Sequence, residues 1–511
     1  MKKALLLVLT AICLTAAAPR KPKLVVAIIV DQFRYDYLTR FRSEYNSGLD
    51  RLLSKGAVFT NAHLIHFPSV TAVGHSTFLS GATPSVSGII GNEWYDRDEK
   101  KRVTSVQDAT TKQLGAGEGV DGNSPRRLLV DTVGDELKMA HHEKSRVIGI
   151  SLKDRAAILP VGHAADGAYW FDAVSGSFVS STYYFSDVPA WVKEFNAGRP
   201  GEKYRGVTWL NHKLPDDVKQ LYGNDNSSPL ESSPFGNELV ELFAEKALVA
   251  EQLGKHEFSD LLAVSFSSND KVGHDYGTYS PESHAMAVET DKLLGKLFQA
   301  LDRQVGMDNV LVVLSADHGV APSAQEDTAN RMPGGRIQGM GVRAAVQAAL
   351  VKKYGEGTWI SYSSDPAVYF NYELVAQKNL DIAELERVGA RAIAGLPHVA
   401  RVYTREQLLN AAVQDDEIGR RVLNGAHAHR GPDLVYVTDP YWSFGGSVAN
   451  HGEPFGYDTH VPMLFLGAGI RAGRYDGTVS LNDVAPTLAT ILDVETPSGS
   501  VGRVLAEMFV P

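Results

Sequence analysis

Two short motifs in the sequence pair an aspartate with a histidine in a way that could hold a metal ion. Asp270 and His274 are four residues apart in DKVGH, which places both side chains on one face of a helical turn. Asp317 and His318 are adjacent in SADHG, and Gly319 allows the chain to turn there. Either pair alone also occurs among unrelated surface residues, so a metal site needs further residues to support it.

A hydroxyl group suited to nucleophilic attack stands at Thr71, in HFPSVTAVGHSTF. The sequence predicts a helix that begins at about this residue. The first turn of a helix carries the positive end of the helix dipole, which favours an alkoxide and an incoming phosphate. The alternative interpretation is that Thr71 only caps the helix, since threonine is a common residue at that position.

Two cationic side chains and one further carboxylate complete the candidates. Lys153 and Arg155 stand in SLKDR, where on a strand both would point to the same side while Asp154 points away. Together they could grip the non-bridging oxygens of a phosphoryl group, or they could be a solvated strand end. Asp31 ends the run KLVVAIIVD and is interpreted either as a metal ligand or as the cap of a following helix.

Several of these residues follow short apolar runs that lack polar alternation. Such runs predict strands buried on both faces, as in a parallel sheet covered by helices. With helix-like stretches between the runs, the sequence predicts a doubly wound, mostly parallel α/β sheet with helices on both faces. Ligands of such sheets bind at the carboxyl ends of the strands, so the candidates should meet at one edge. The runs are residues 23–31, 146–155, 261–270, 309–318 and 462–470.

Two long ranges do not follow the pattern of the core. Residues from about 159 to 234 are rich in aromatic, Gly, Asp and Asn residues, and about 339 to 446 carries strand and helix patterns of its own. We interpret both as insertions that form a cap or flanking subdomain. The domain prediction is therefore one catalytic domain over residues 19–511 with these two insertions.

The N-terminus has the pattern of an export signal. Lys2 and Lys3 precede an apolar stretch that ends in the small residues Ala16, Ala17 and Ala18, so we predict a signal peptide at residues 1–18. Cys13, the only cysteine of the chain, falls within it, so the mature protein would contain no disulfide. We therefore expect a periplasmic or secreted protein with no stable membrane insertion after cleavage.

The charge of the chain argues against one class of partner. The formal net charge is −10, and no long block of basic residues offsets it. Proteins that bind nucleic acid usually present a basic surface, so nucleic acid is not expected as a partner.

The candidates taken in order resemble the alkaline phosphatase superfamily, in particular its PafA-like, phosphate-irrepressible phosphomonoesterase branch, which uses a threonine nucleophile. The resemblance covers essentially the whole mature chain. No single motif is specific, but the ordered set is. The residues that carry it are Asp31, Thr71, Asn92, Lys153, Arg155, Asp270, His274, Asp317, His318 and His451.

The resemblance implies a cofactor of two Zn²⁺ per chain and assigns their ligands. One ion would be held by Asp270, His274 and His451, and the other by Asp31, Asp317 and His318, with Thr71 as the nucleophile ligand. His460 competes with His451 for the last position, and the glycine after His451 favours His451. Asn92, in GNEWYD, together with Lys153 and Arg155 would contact the transferred phosphoryl group.

The function implied by the resemblance is that of an exported, metal-dependent alkaline phosphatase. It would hydrolyse small phosphate monoesters through a phosphothreonine intermediate. The Lys153 and Arg155 pair favours monoesters, whose dianion needs more positive charge than a diester does. The alternatives are a phosphodiesterase or nucleotide pyrophosphatase of the same superfamily, and a zinc protein that binds phosphate esters without hydrolysing them. Natural substrate, oligomeric state and any additional Ca²⁺ or Mg²⁺ stay open.

Overall fold

The fold is built on a central sheet whose middle strands run parallel. The computed structural model describes residues 21–117, 119–224, 227–338 and 340–510, so the predicted signal peptide and Cys13 lie outside the described residues. The strand Leu24–Val30 is buried along its whole length and pairs in parallel with Asp260–Phe266 and Val310–Ser315. Burial on both faces explains why these strands are continuous apolar runs.

Eleven strands form this sheet among the described residues. In spatial order they are Gly473–Tyr475, Ala57–Phe59, Met463–Gly467, Val310–Ser315, Leu24–Val30, Asp260–Phe266, Val147–Ser151, Gly167–Asp172, Ser177–Ser181, Gln107–Leu114 and Asp121–Asn123.

The predicted α/β class is confirmed, but the sheet is mixed rather than mostly parallel. Met463–Gly467 pairs antiparallel with Val310–Ser315, so the prediction that residues 462–470 continue the parallel set is wrong in direction. Ser177–Ser181 is likewise antiparallel to Gly167–Asp172. An apolar run shows that a strand is buried, but it does not show which way the strand runs, and antiparallel strands at the edges of parallel sheets are common.

The two ranges predicted as insertions differ in structure. Residues 159–234 contribute the strands Gly167–Asp172 and Ser177–Ser181 to the central sheet itself. Residues 339–446 contain a separate four-stranded sheet with its own apolar core, which we call the inserted subdomain. Its strands, in spatial order, are Ile360–Ser364, Ala367–Phe370, Leu434–Thr438 and Val399–Thr404. The domain limits drawn from the sequence stay a prediction.

The remaining strands within the described ranges form four two-stranded ribbons. They are Ala62–His63 with Val479–Ser480, Glu93–Asp96 with Lys101–Thr104, Thr208–Trp209 with His212–Lys213, and Gly335–Arg336 with Trp442–Ser443.

Helices cover the sheets and connect the strands. The α-helices with eight or more residues are Gly48–Lys55, Thr71–Ser80, Val133–Ala140, Ala190–Ala197, Pro234–Ala250, Ser268–Tyr276, Pro281–Gln304, Val342–Tyr354, Ile382–Ala394, Glu417–Gly425 and Val484–Leu492. Shorter ones are Tyr35–Arg40, Pro84–Ser87, Asp154–Ile158, Val218–Tyr222, Ala324–Ala329, Tyr372–Gln377, Arg405–Leu409 and Gly456–Thr459. The 3₁₀ turns are Arg42–Glu44, Pro200–Tyr204, Met307–Asn309, Leu481–Asp483 and Ala506–Met508. Within the described ranges, no helix combines the length and the apolar character needed to cross a membrane.

Candidate active site

The candidate residues meet at the carboxyl ends of four neighbouring strands. Asp31 directly follows Leu24–Val30, and Asp317 comes two residues after Val310–Ser315. Lys153 comes two residues after Val147–Ser151. Asp270 lies in the helix Ser268–Tyr276, which begins just after Asp260–Phe266. This is the edge at which open α/β sheets bind their ligands.

Asp270, His274 and His451 form one group with the geometry of a metal site. Asp270 and His274 share one face of their helix, and their Oδ1 and Nε2 atoms lie 3.2 Å apart. His451 Nε2 lies 3.6 Å from the same oxygen. Nδ1 of His274 donates to the Ala449 carbonyl, and Nδ1 of His451 donates to that of Ser69, each at 2.8 Å. In the neutral rings these bonds place the proton on Nδ1, so both Nε2 atoms could bind a metal.

Asp31, Asp317 and His318 form a second, fully buried group. His318 Nε2 lies 3.6 Å from Asp31 Oδ1 and 3.5 Å from Asp317 Oδ2, while its Nδ1 donates to the Gly319 carbonyl at 2.9 Å. In the part of the chain that the structure describes, these three facing atoms have no hydrogen-bond partner. A divalent cation beside His318 would satisfy buried carboxylate oxygens and an imidazole nitrogen at once, and the three residues here whose ligand atoms all lie within 4.8 Å of one another are Asp31, Asp270 and His318.

The protonation of this second group also suits a metal. Burial, with the charge of Asp317 next in size, raises the pKa of Asp31 to about 6. Burial lowers the pKa of His318 to about 4, so its ring is neutral at pH 7. Metal ligands must be neutral imidazoles and ionised carboxylates, and a bound cation would favour both states.

The two groups adjoin at Asp270. Its ligand atoms lie within 4.8 Å of those of His274 and His451, and also within 4.8 Å of those of Asp31 and His318. The sequence predicted Asp270 as a ligand of the first ion and Asp317 as a ligand of the second. In the structure, Asp270 lies close to ligand atoms of both groups, and Asp317 lies beside His318.

Thr71 lies between elements that contact both groups. It is the first residue of the helix Thr71–Ser80, and Val70 occupies the cap position, so Thr71 is not a cap. Ser69, two residues earlier, accepts the hydrogen bond from His451. On the other side, a Cβ on Gly74 would lie only 2.3 Å from the Asp317 carbonyl oxygen, so the first turn packs directly against that chain segment.

Lys153 and Arg155 are placed differently from the prediction. The strand ends at Ser151, Lys153 caps the helix Asp154–Ile158, and Arg155 lies in its first turn, so the expectation that both stand on one strand is wrong. The chain leaves the sheet before it reaches them, which the apolar pattern of the run does not reveal.

Lys153 lies between the carboxylates of Asp31 and Asp270, which belong to the two metal groups. Its Nζ is 2.5 Å from Asp31 Oδ2 and 2.7 Å from Asp270 Oδ2. Burial would lower the pKa of Lys153, but the charges of Asp270 and Asp31 outweigh burial and raise it. For Asp270 burial acts in the opposite sense, and the charges of Lys153 and His274 hold its pKa well below the usual value. The ammonium therefore stays charged inside the site.

Arg155 and Asn92 have different surroundings. Arg155, with 26% of its side chain exposed, lines a cavity of about 670 Å³ together with Lys153, Asp270 and His274. Asn92 Oδ1 accepts a 2.8 Å hydrogen bond from the Ala72 amide at the start of the Thr71 helix. That bond holds the side-chain amide of Asn92 next to Thr71.

His460 is not part of either metal group. Its Nε2 lies 3.0 Å from the Thr60 carbonyl oxygen, and its ring stacks on Tyr35 with centroids 4.2 Å apart. Of the two histidines that the sequence left open, the structure places His451 beside Asp270.

Two residues that sequence analysis missed contact the candidate ligands. His75 Nδ1 lies 3.2 Å from Asp317 Oδ2 and 2.8 Å from the Thr71 carbonyl oxygen. Gln32 contacts Asp270 and Asp317. His75 stands one helical turn after Thr71, and Gln32 follows Asp31, so proximity in sequence to a candidate was the available signal.

Comparison with known proteins identifies the class to which this fold and site belong. The chain belongs to the type I phosphodiesterase / nucleotide pyrophosphatase family, whose profile it matches over residues 25–460. The murine ectonucleotide pyrophosphatase/phosphodiesterase 5 shares the fold, with a TM-score of 0.56 at 16% identity over 93% of this chain and 96% of that chain.

Closer relatives are alkaline phosphatases. The chain is 34% identical to alkaline phosphatase PafA of Elizabethkingia meningoseptica, over 97% of this chain and 96% of that protein. It is 34% identical to alkaline phosphatase PhoV of Synechococcus elongatus, over 96% and 93% respectively. The crystal structure of PafA matches with a TM-score of 0.90 at 32% identity, covering 96% of this chain and 99% of that chain. The resemblance to the alkaline phosphatase superfamily is thereby confirmed.

A structure of a PafA variant matches equally well, with a TM-score of 0.90, 32% identity, and coverage of 96% of this chain and 99% of that chain. In that variant a threonine is replaced by serine, and an asparagine, a lysine and an arginine are replaced by alanine.

Proposed function

We propose that the protein is an alkaline phosphatase that hydrolyses small phosphate monoesters at a two-zinc site, with Thr71 as the nucleophile. We also propose that it is exported, to the periplasm or outside the cell, after cleavage of residues 1–18. The observation that carries the enzymatic proposal is the convergence of two metal-ligand groups on Asp270, with the Thr71 helix packed against them and Lys153 between them.

The comparisons support a phosphatase more than its alternatives. PafA and PhoV carry that activity in their names, and each matches nearly the whole chain. The residues replaced in the PafA variant are of the same types, in the same order, as Thr71, Asn92, Lys153 and Arg155. The similarity to phosphodiesterase 5, at 16% identity, supports only the fold.

The ligands of the two ions would be Asp270, His274 and His451 for one, and Asp31, Asp317 and His318 for the other. When bound, zinc lowers the pKa of a coordinated hydroxyl and offsets negative charge on a leaving oxygen. Zinc suits these mixed histidine and aspartate ligands. Burial favours the binding of a cation at such a site, because the facing carboxylates repel each other when no cation lies between them.

Thr71 carries the covalent step of the proposal. Its Oγ attacks phosphorus in line, a new O–P bond forms, and the P–O bond to the leaving alcohol breaks. Water then hydrolyses the resulting phosphothreonine and releases inorganic phosphate. Because Thr71 is the first residue of its helix, the positive end of the helix dipole favours both the alkoxide and the phosphoryl group.

Asn92, Lys153 and Arg155 bind the phosphoryl group in this proposal. Lys153 is held in place by Asp31 and Asp270, so it offers a fixed positive charge that needs no reorganisation when substrate binds. Arg155 faces the cavity and can bind two non-bridging oxygens. A monoester dianion carries one more negative charge than a diester, so this pair favours monoesters.

The Thr71→Ala variant tests the proposal, with Thr71→Ser as its matched control. Wild-type protein should release phosphate from an aryl phosphate, and acid quenching should trap one phosphoryl group on the peptide that contains Thr71. Thr71→Ala should lose both signals, while Thr71→Ser, which keeps a hydroxyl, should retain activity. A wild-type protein that binds phosphate esters without releasing phosphate would instead be the zinc-dependent binding protein considered from the sequence.

A further inference from the structure

Gln32 is a buried residue, 2% exposed, that touches both candidate metal groups. Its backbone N–H donates to Asp317 Oδ1 at 3.1 Å. Its side-chain Nε2 donates to Asp270 Oδ1 at 2.7 Å. It also follows Asp31 directly in the chain. One residue thus connects an aspartate of the first group with the two aspartates of the second.

The conformation of Gln32 is unusual and is shaped by these contacts. Its φ of 61° lies in the left-handed region, which residues with a side chain adopt rarely. The turn that results aims the backbone N–H at Asp317 while the side chain extends towards Asp270. Such backbone strain persists where surrounding contacts require it, and it concentrates at functional sites.

Gly273 makes room for this side chain. A Cβ at Gly273 would lie 1.7 Å from Gln32 Oε1, so a larger residue at that position would displace the amide of Gln32. Gly273 stands between Asp270 and His274 in the DKVGH motif. The motif therefore combines two candidate metal ligands with a gap that admits the amide of Gln32.

The contact with Asp270 involves the oxygen that faces the metal position. Asp270 Oδ1 lies 3.2 Å from His274 Nε2 and 3.6 Å from His451 Nε2, while Oδ2 is taken by Lys153. With Gln32 on one oxygen and Lys153 on the other, the plane of the carboxylate is fixed. Groups that hold metal ligands in this way commonly change metal affinity by 10- to 100-fold when they are removed.

We propose that Gln32 is a positioning residue that couples the two metal centres. It holds the Asp270 carboxylate of one centre in a fixed position relative to Asp31 and Asp317 of the other. This inference rests on the proposed two-metal site. The side chain acts on Asp270 and the backbone acts on Asp317, so a side-chain substitution should affect one centre more than the other.

The test is metal titration of the metal-free protein with Zn²⁺ or Co²⁺ against a competing chelator. Gln32→Met keeps the length of the side chain and the backbone N–H but removes the amide donor. We expect the ion held by Asp270, His274 and His451 to bind about 10- to 100-fold more weakly in this variant, and the other ion to be affected less. Gln32→Leu, which also offers no N–H to Asp270 and adds no charge, should give the same loss and serves if Gln32→Met does not fold.

Gln347→Met is the matched control. Gln347, in the inserted subdomain, donates to the Gly357 carbonyl at 2.6 Å and accepts from the Trp359 amide at 3.0 Å, so its loss removes two hydrogen bonds away from the metals. Its metal affinities should equal those of wild type. Unchanged affinities in both Gln32 variants, or an equal loss at both centres, would overturn the inference. A wild-type protein that binds no metal would instead overturn the proposed function.

Discussion

Arg155→Ala offers a sharp test of how the site distinguishes monoesters from diesters. The guanidinium lines the cavity beside Lys153 and Asp270, but unlike Lys153 it contacts none of the candidate metal ligands. Its removal should therefore leave the metal centres intact and take away one cationic contact with the phosphoryl group. That contact matters most when the substrate carries two negative charges.

The magnitude follows from the type of contact and its exposure. A hydrogen bond to a charged group contributes roughly 1.5–3 kcal/mol. Because 26% of the Arg155 side chain is exposed, water partly replaces the lost contact, and we expect the lower half of that range. The predicted loss in kcat/KM for an aryl phosphate monoester is therefore about 10- to 50-fold. For the matching diester we expect less than about threefold, the size of a screened surface interaction.

The assay compares steady-state kcat/KM for p-nitrophenyl phosphate and bis-p-nitrophenyl phosphate, with zinc content measured on the same samples. Arg420→Ala is the control, because Arg420 pairs with Asp415 on the surface of the inserted subdomain and should affect neither substrate. An equal loss for both substrates, or a larger loss for the diester, would refute the charge argument and favour the phosphodiesterase alternative.

Two further predictions concern Asn92, which contacts the start of the helix Thr71–Ser80, and the pH dependence of stability. Asn92→Ala should lower kcat for the monoester by about 10²-fold or more, as the loss of one preorganised donor does; stopped-flow or steady-state kinetics would show it, and a change in KM alone would contradict it. Burial, followed by the charge of Glu245, raises the pKa of Glu241 from 4.5 to about 8. The unfolded chain thus releases this proton at lower pH, so the free energy of unfolding should fall as pH rises from about 4.5 to 8. Glu241→Gln should remove this contribution to the fall, and thermal unfolding at pH 5 and pH 9 would measure it; a parallel pH dependence in both proteins would contradict the assignment.

The sequence predicted the centre of the fold because burial there leaves a clear pattern. Leu24–Val30 and Val310–Ser315 are buried on both faces, so every position except Ser315 is apolar and both strands can be predicted without a structure. The direction of Met463–Gly467 was not readable, because parallel and antiparallel strands bury the same kinds of side chain. Direction depends on how the chain reaches the sheet, which is set by distant segments.

The candidate site, like the fold, could be predicted from the sequence only in part. The spacing of Asp270 and His274 predicted a shared helix face, and the structure has that helix. The placement of Lys153 between Asp31 and Asp270 was not predicted, since it depends on where a strand ends and on three elements meeting. Gln32 was missed because its contacts with Asp270 and Asp317 depend on a left-handed backbone conformation that its residue type does not indicate.

The inserted subdomain was recognised from a change in pattern, but not as a four-stranded sheet with its own core. Its strands are short, and Leu434–Thr438 pairs with partners thirty or more residues earlier in the chain. The segment at 159–234 was expected to lie outside the core, yet Gly167–Asp172 extends the central sheet. The aromatic residues that set this segment apart include Phe171 and Phe178, which lie on two of its strands and are buried in the main core.

The atoms gathered around Asp270 are proposed to bind two zinc ions that hydrolysis of monoesters requires. The most direct measurement is the zinc content of the mature protein together with its hydrolysis of p-nitrophenyl phosphate, before and after chelation and after zinc is restored. We expect two zinc ions per chain, loss of activity on chelation and recovery with zinc. Full activity in protein freed of all metal would contradict the proposed role of zinc.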